Sequence, residues 1–490
     1  MTGSAATPTV AIIGSGLAGL SMAMQLQKAG IHSFTIFEKS GRVGGTWRDN
    51  TYPGAACDVP SHLYSFSFEP KTNWSRVFPP QSEILSYIEQ CVHHRDLGRH
   101  IRFNAEIESA RFDEARSQWQ LRTTGGDDYW AHVLVFACGQ LNRPAYPKIA
   151  GLSELEAVQF HSARWNHDYD LSGKTVAAIG TGASAIQFVP VVAQQAQKLY
   201  VFQRTPPWLL PKPDRAYFPI ERFVFSHVPP VRRLYRSLIY WALEMRVAML
   251  TKRSWLQQYH KRRALDYLRK SIEDPRLRHA LTPDYPIGCK RILISNDYYP
   301  ALCRPNVELV TSPIERATKE ALVTEDGVRR NVDAVIYGTG FLSTGFLAPM
   351  KIVGRQGLDL NDAWRNGAEA YFGVAVAGFP NLFLLYGPNT NLGHNSILFM
   401  IECQVRYTIQ CIERLRRNRL ASLELRADAT GNYNRQLQDR HAQLVWSACT
   451  NWYTHESGKN TNNWPGSTVE YWLRTRRPDA MAFHAQSQAG

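Results

Sequence analysis

Val10-Ala-Ile-Ile-Gly14-Ser-Gly16-Leu-Ala-Gly19 is an apolar run that breaks into a glycine turn and then into a helical pattern, and its reading decides the fold. A second strand, Ser33 to Phe37, follows the helix and closes on Glu38. The same plan recurs as Thr175-Val-Ala-Ala-Ile179, Gly180-Thr-Gly182-Ala-Ser-Ala185, a helix, and the strand Lys198 to Gln203 closing on Arg204. In such units the first Gly makes the tight turn and the second admits a pyrophosphate. The third small residue lets helix and strand pack closely. The pyrophosphate rests on the unpaired amides at the helix N-terminus. Glu38 suits the hydroxyls of an adenosine ribose, whereas Arg204 suits a 2′-phosphate. The first unit therefore reads as an FAD or NAD site and the second as an NADPH site. The expected fold class is α/β, with two Rossmann-like dinucleotide-binding domains.

With 490 residues, 44% of them hydrophobic, the chain has room for two to four domains with full cores. Its 56 Lys and Arg against 42 Asp and Glu give a formal charge of +14, a balance that suits two large anionic dinucleotides. Zinc-finger spacing, RNA-binding aromatic signatures and long basic blocks are all missing from the sequence, so nucleic acid is not expected. Eight cysteines lie at 57, 91, 138, 289, 303, 403, 411 and 449 without a CxxC pair. That scatter reads as free thiols in a reducing, cytoplasmic setting and gives no metal site. Met1 to Pro8 leads directly into the first strand, so no secretory leader is expected. Leu234 to Leu250 is interrupted by Arg236, Glu244 and Arg246, so no integral membrane span is expected.

Residues 1–142 and 342–490 read as the FAD-binding domain, and 150–341 as the NADPH-binding domain. The Pro-broken stretch Asn142-Arg-Pro-Ala-Tyr-Pro147 links them. Val133 to Gly139 and Asp333 to Gly340 are apolar strands that stop at a Gly, the second marking the return crossing. Residues 217–280, rich in Arg, Leu, Tyr and Trp, read as a helical insert packed on the nucleotide domain with its basic residues solvated. The alternative is a surface helix in peripheral contact with a membrane, or one that gathers an apolar substrate.

The loop Gly44-Gly-Thr-Trp47-Arg-Asp-Asn-Thr-Tyr52-Pro-Gly54-Ala-Ala-Cys-Asp58 matches every defined position of GGxWxxxxYPGxxxD, and in this it resembles the Baeyer–Villiger monooxygenases. Their fingerprint FxGxxxHxxxW is met in part by Leu155-Glu-Ala157-Val-Gln-Phe-His161-Ser-Ala-Arg-Trp165, with Leu155 and Ala157 replacing Phe and Gly. His161 and Trp165 then correspond to a hydrogen-bonding hinge. Gly288-Cys-Lys290-Arg291 resembles the family's Lys-Arg pair, in which Lys helps hold the 2′-phosphate and Arg lies over the flavin and stabilises the peroxide. Trp452 resembles a mobile-loop Trp that bonds the nicotinamide ribose. The turn Gly387-Pro-Asn-Thr-Asn-Leu-Gly-His394-Asn-Ser-Ile397 is closer to that of flavin-containing and hydroxyacetophenone-type enzymes than to cyclohexanone-type ones.

The resemblance implies FAD contacts from Gly14, Ser15, Gly16, Gly19, Glu38, Thr46, Trp47, Asp58, Tyr64, Ile107 and Ile397. It implies NADPH contacts from Gly180, Thr181, Gly182, Ala183, Ser184, Ala185, Arg204, Thr205, Lys290 and Trp452. Arg291 is then the catalytic cation and Asp58 the carboxylate that aims it. The expected reaction inserts one oxygen of O2 beside the carbonyl of a small hydrophobic ketone. The alternative is oxygenation of sulfur or nitrogen by the same cofactors. A pyridine nucleotide–disulfide reductase needs a cysteine pair beside the flavin, and Cys57 has no neighbour in sequence to supply it. A non-catalytic basic scaffold leaves both nucleotide fingerprints unexplained.

Overall fold

The computed structural model describes residues 8–252 and 254–487. Residues 1–7, on which the expectation of no leader depends, lie outside the described residues. Ten parallel strands organise the molecule: β1 Val10–Ile13, β2 Phe34–Phe37, β3 Ile101–Arg102, β4 Val133–Phe136, β5 Val158–His161, β6 Thr175–Ile179, β7 Lys198–Phe202, β8 Val307–Val310, β9 Ala334–Tyr337 and β10 Leu382–Leu384. They form two sheets, ordered β10-β4-β1-β2-β3 and β8-β7-β6-β9-β5. Registers such as Val10↔Phe34 and Val10↔Val133 align the two strands beside β1. The sequence crosses from the first sheet to the second between β4 and β5 and returns between β9 and β10.

Each sheet is buried on both faces, which is why its strands read as continuous apolar runs instead of alternating ones. In the first sheet Val10, Ile12, Val133 and Val135 face one core, shared with α1 Leu17–Lys28 and α6 Ile397–Arg417. Ala11, Ile13, Leu134 and Phe136 face another core, closed by Phe112, Trp119 and Leu121 of an antiparallel sheet. The second sheet repeats this arrangement, with Val176 and Ala178 on one side and Ala177 and Ile179 on the other. Its helix α2, Ala185–Gln195, covers the first of these faces.

The two crossing segments pair with each other. Ala145 donates to the Gly340 carbonyl at 2.9 Å and Leu342 to the Arg143 carbonyl at 2.9 Å, forming an antiparallel bridge between Pro144 and Phe341. His161 ends β5 and sits fully buried beside this bridge, its ring against Tyr146 of the outgoing segment and Phe341 of the returning one. Its Nδ1 accepts from the Ala163 amide at 3.1 Å and so caps the turn that follows. Trp165 packs on Phe160 and Phe188.

Residues 219–280 form α3 Pro219–His227, α4 Pro229–Glu244, α5 Trp255–Ser271 and a short helix, Pro275–Ala280. The inner face of α4 sets polar anchors beside Leu243 and Tyr235, and an apolar stripe is turned outward. Arg236 donates to the His62 carbonyl, and the Tyr240 hydroxyl meets the Thr468 hydroxyl at 2.8 Å. Glu244 accepts from the Thr468 amide and hydroxyl, both at 2.6 Å, and from Asn395 Nδ2 at 2.7 Å. An ionised carboxylate that satisfies several buried donors makes a strong anchor, whereas apolar side chains at those positions would leave the donors unmet.

Burial alone raises the pKa of Glu244, but His394, Thr468 and Asn395 together pull it down to about 2. The ionised group therefore contributes its full stability above the ordinary carboxylate value, and the contribution is lost as the pH falls toward 2. A shift of this size corresponds to on the order of 3 kcal/mol. We expect the wild-type thermal midpoint to fall steeply between about pH 4.5 and pH 3. Glu244→Gln should be less stable at pH 7 and show a shallower acid slope in calorimetry. An identical acid slope in both proteins would remove Glu244 from this role.

Candidate active site

The two glycine cradles are built alike. Gly14 and Gly180 have φ of +104° and +110°, a region that side chains other than Gly rarely adopt. A Cβ on them would lie 2.8 Å from the Ala137 carbonyl and 2.4 Å from that of Gly338, respectively. At the second glycine the situation reverses. A Cβ on Gly16 would meet nothing nearer than Gly45 Cα at 3.8 Å, and one on Gly182 nothing within 4 Å. Each cradle is thus closed by backbone where the chain turns and open where a pyrophosphate would approach, at the start of α1 or α2. The residues present fit a dinucleotide in both places. Gly19 and Ala185 fill the close-packed third position, a Cβ on Gly19 falling 2.0 Å from the Gly14 carbonyl.

Glu38 at the end of β2 is buried and engaged. One oxygen accepts from the Ser15 amide at 3.0 Å and hydroxyl at 2.7 Å; the other accepts from the Ser40 amide at 3.0 Å and Arg48 Nη1 at 2.9 Å. Burial raises its pKa, yet these donors outweigh it and hold the carboxyl below the ordinary value. The acidic end of the first cradle is therefore ionised and fixed in place. At the matching end of the second cradle Arg204 is exposed, and Thr181 ties the turn by donating to the Thr205 carbonyl at 3.1 Å. Lys290 lies over the Tyr285 ring, 4.6 Å from its centroid. Burial and the nearby charge of Arg204 both lower its pKa, against a weaker pull from Asp284. Two cations thus converge from distant parts of the chain, and among the described residues neither forms an ion pair.

The Gly44–Asp58 loop crosses from the first nucleotide unit to the second. Thr46 begins a short helix, Thr46–Asp49, and Trp47 Nε1 donates to the Tyr64 hydroxyl at 3.1 Å. Tyr52 donates to Gln187 Oε1 at 2.9 Å, and Gln187 Nε2 returns a bond to the Ala56 carbonyl at 3.0 Å. Gly54 passes so close to α2 that a Cβ would sit 2.6 Å from the Gln187 carbonyl. Ala183 and Ser184 precede that helix in the same turn.

The loop ends at Asp58, whose Oδ2 accepts from Arg291 Nε at 3.1 Å and Nη2 at 2.5 Å. Both side chains remain about a third accessible, at 33% and 32%. Burial would raise the pKa of Asp58, but Arg291 holds it below the ordinary carboxylate value. The charge of Asp58 in turn raises that of Arg291 further still. Tyr386 and Tyr453 lie close enough to feel the same guanidinium. Burial pushes the Tyr453 hydroxyl up to about 12 despite that cation, so it stays a neutral donor. The arrangement is a permanently charged, aimed cation with neutral hydroxyls beside it.

Other expected residues fall differently. Ile397 opens α6 and packs on the main core. Trp452 is 39% exposed, tilts over Tyr453 at 4.4 Å, and its carbonyl accepts from Ser343. Ile107 is not brought to the others through its side chain, which is buried in a core with Ile13 and Phe37.

One sequence expectation is overturned. Cys289 and Cys449, 160 residues apart, form a disulfide, while the remaining six thiols are free. It joins the Lys290–Arg291 turn to the loop carrying Trp452 and Tyr453, packed among Leu250, Val445 and Trp446. The scatter of cysteines therefore no longer argues for a reducing compartment. Without short spacing, nothing in the sequence marked these two as partners, because pairing requires that their Cα atoms meet, here at 6.1 Å. Gln187, Tyr386 and Tyr453 were also missed. Only Tyr453, next to Trp452, had a local signal.

Residues 11–218 match the family model described as pyridine nucleotide-disulphide oxidoreductase. The chain is 47% identical to a protein named Baeyer-Villiger monooxygenase from Pseudomonas aeruginosa, over 97% of this chain and 91% of that one. Among solved structures it resembles an oxidised steroid monooxygenase bound to NADP, with a TM-score of 0.87 and 30% identity, covering 98% of this chain and 100% of the other. It also resembles OTEMO in complex with FAD and NADP, with a TM-score of 0.87 and 26% identity over 96% and 97%.

The disulfide makes a direct prediction. Thiol titration of the protein unfolded without reductant should count six cysteines, and reduction first should raise the count to eight. Cys449→Ser should lower stability by about 2–5 kcal/mol in urea, because a long unfolded loop regains its freedom. Eight reactive thiols in protein kept from reductant would show that the bond does not form.

Proposed function

The chain belongs to the Baeyer–Villiger monooxygenase family, and from that premise we propose how its own residues divide the work of an FAD- and NADPH-dependent monooxygenase. The reaction consumes O2, NADPH and a proton. One oxygen enters the ketone between the carbonyl carbon and a neighbouring carbon, giving an ester or lactone, and the other leaves as water. Bound FAD supplies the activation of oxygen, and NADPH supplies the two electrons.

The pair Arg291–Asp58 carries the reading. Activated oxygen that attacks a carbonyl must keep its negative charge, and a proton donor or bulk water would discharge it as hydrogen peroxide. A guanidinium suits this task because it stays charged without giving up its proton and presents several donors in a fixed fork. Arg291 fills that role, with Asp58 holding two of its donors so that the rest are aimed. Tyr386, Tyr453 and the Trp47–Tyr64 pair crowd water from the same place. Gly14, Ser15, Gly16, Gly19 and Glu38 hold the ADP half of FAD, assisted by Thr46 and Ile397. The turn from Gly180 to Ala185, with Thr205, holds NADPH, and Arg204 and Lys290 share its 2′-phosphate. Trp452 closes over the nicotinamide end.

The division into an FAD domain, 1–142 and 342–490, and an NADPH domain, 150–341, follows the two sheets. His161 and the paired crossing segments are its hinge. The buried His161 ring has its pKa lowered by that burial, which outweighs the pull of the Gly340 carbonyl. It therefore serves as a neutral cap and not as an acid. The substrate is a hydrophobic ketone.

Arg291→Ala should still consume NADPH, slowly, but lose ester formation by at least about 10²–10³-fold. Hydrogen peroxide should appear in its place, measured beside product mass on one ketone. Asp58→Ala should lose less, because the cation remains but is poorly aimed. Full ester yield from Arg291→Ala would sink the assignment.

Arg204→Ala should raise the KM for NADPH roughly tenfold, the worth of one charge-assisted phosphate contact, and leave NADH nearly unchanged. An equal loss with both cofactors would place Arg204 elsewhere.

A further inference from the structure

The outward face of the helical insert is used by nothing in the chemistry above. On α4 the side chains that anchor the helix, Arg236, Tyr240 and Glu244, recur every four residues and share one face. Val231, Leu234, Leu238, Trp241 and Met245 recur at intervals of three and four on roughly the opposite face. The last four are each more than half exposed. A helix on a globular surface normally turns such a stripe inward, and here polar bonds fix it outward. The neighbouring helices expose more of the same character, with Ile220 and Phe223 on α3 and Trp255, 76% exposed, and Tyr259 on α5. Scattered single apolar residues need no explanation, but a stripe of this extent does.

The sequence of this stretch is strongly basic, although Arg236 is spent on the inner face. Residues 217–263 contain ten Lys and Arg against two Glu and no Asp. Of those two acids, Glu221 is paired with Arg215 and Glu244 is buried. We propose that this face docks on an anionic lipid surface, with the apolar stripe of α4 lying in the plane of the interface. Such helices combine an apolar face, basic neighbours and aromatic residues suited to headgroup depth. With 16 residues α4 is about 24 Å long. Among the described residues no helix is long and apolar enough to cross a membrane, so the contact is peripheral. A second copy of the chain is disfavoured as the occupant. Two-fold pairing would set this basic surface against itself with no free acid to answer it, whereas lipid phosphates answer it directly.

The test is sedimentation of the FAD-loaded protein with vesicles of mixed phosphatidylglycerol and phosphatidylcholine, and with phosphatidylcholine alone. The wild type should pellet with the anionic vesicles at low salt and remain in solution with the neutral ones. Its tryptophan emission should shift to the blue on binding. The triple variant Leu234→Ser, Leu238→Ser, Trp241→Ser should bind at least tenfold more weakly. Its flavin content and thermal midpoint should stay at wild-type values, since the changed side chains are exposed. Arg233→Glu with Arg262→Glu should weaken binding and flatten its salt dependence. Wild-type protein that ignores anionic vesicles, or a triple variant that binds them as well as wild type, overturns the proposal. So does a wild-type dimer in light scattering that becomes monomeric in the triple variant without any vesicle binding, which would assign the face to a second copy.

Discussion

The ion pair between Asp58 and Arg291 is the constraint that the active site depends on. Its partners lie 233 residues apart in the chain. With a third of each side chain accessible, the pair is neither fully buried nor free in solvent. Its value lies in placement. Wherever the Gly44–Asp58 loop docks, the guanidinium is aimed, and wherever the Lys290–Arg291 turn moves, the pair is broken.

What fixes the loop is therefore more important than the pair. Tyr52 donates to Gln187 and Gln187 donates on to the Ala56 carbonyl across the boundary between the units, the Tyr52 ring meets Phe188 edge-on, and Gly54 lets the two backbones approach. These contacts are part-buried and directional. The Tyr-Pro-Gly motif is thus a clamp between the flavin-side loop and α2, and its residues need not touch a cofactor to matter. On the other side the disulfide ties the Arg291 turn to the Tyr453 loop. The guanidinium is held between a non-covalent clamp and a covalent one.

The crossing between the two sheets is built differently. The two crossing segments pair through a short antiparallel bridge, reinforced by Thr339 donating to the Ala145 carbonyl and Arg143 to the Ala348 carbonyl, and His161 sits where both segments touch it. A neutral, capped ring at that point gives the bridge a fixed packing partner without introducing a charge that would need an answer.

The sequence by itself determined what is local. A strand, a glycine turn and a helix occupy about twenty consecutive residues, and their steric needs are met within them. The cradles at Gly14 and Gly180, the parallel strands and the differing charges of Glu38 and Arg204 were therefore legible. The loop ending at Asp58 was legible as a motif. Only tertiary structure decided the rest. The partner of Cys289 lay 160 residues away, and no spacing rule reaches that far. Gln187 reads as an ordinary helix residue until Tyr52 arrives, and Ile107 joined a core because the meander folds beneath the sheet. On α4 the sequence showed a helix of mixed apolar and basic positions but not which face turns outward. That direction was set by Arg236, Tyr240 and Glu244 finding buried partners in distant segments, where unmet polar groups cost more than exposed apolar ones.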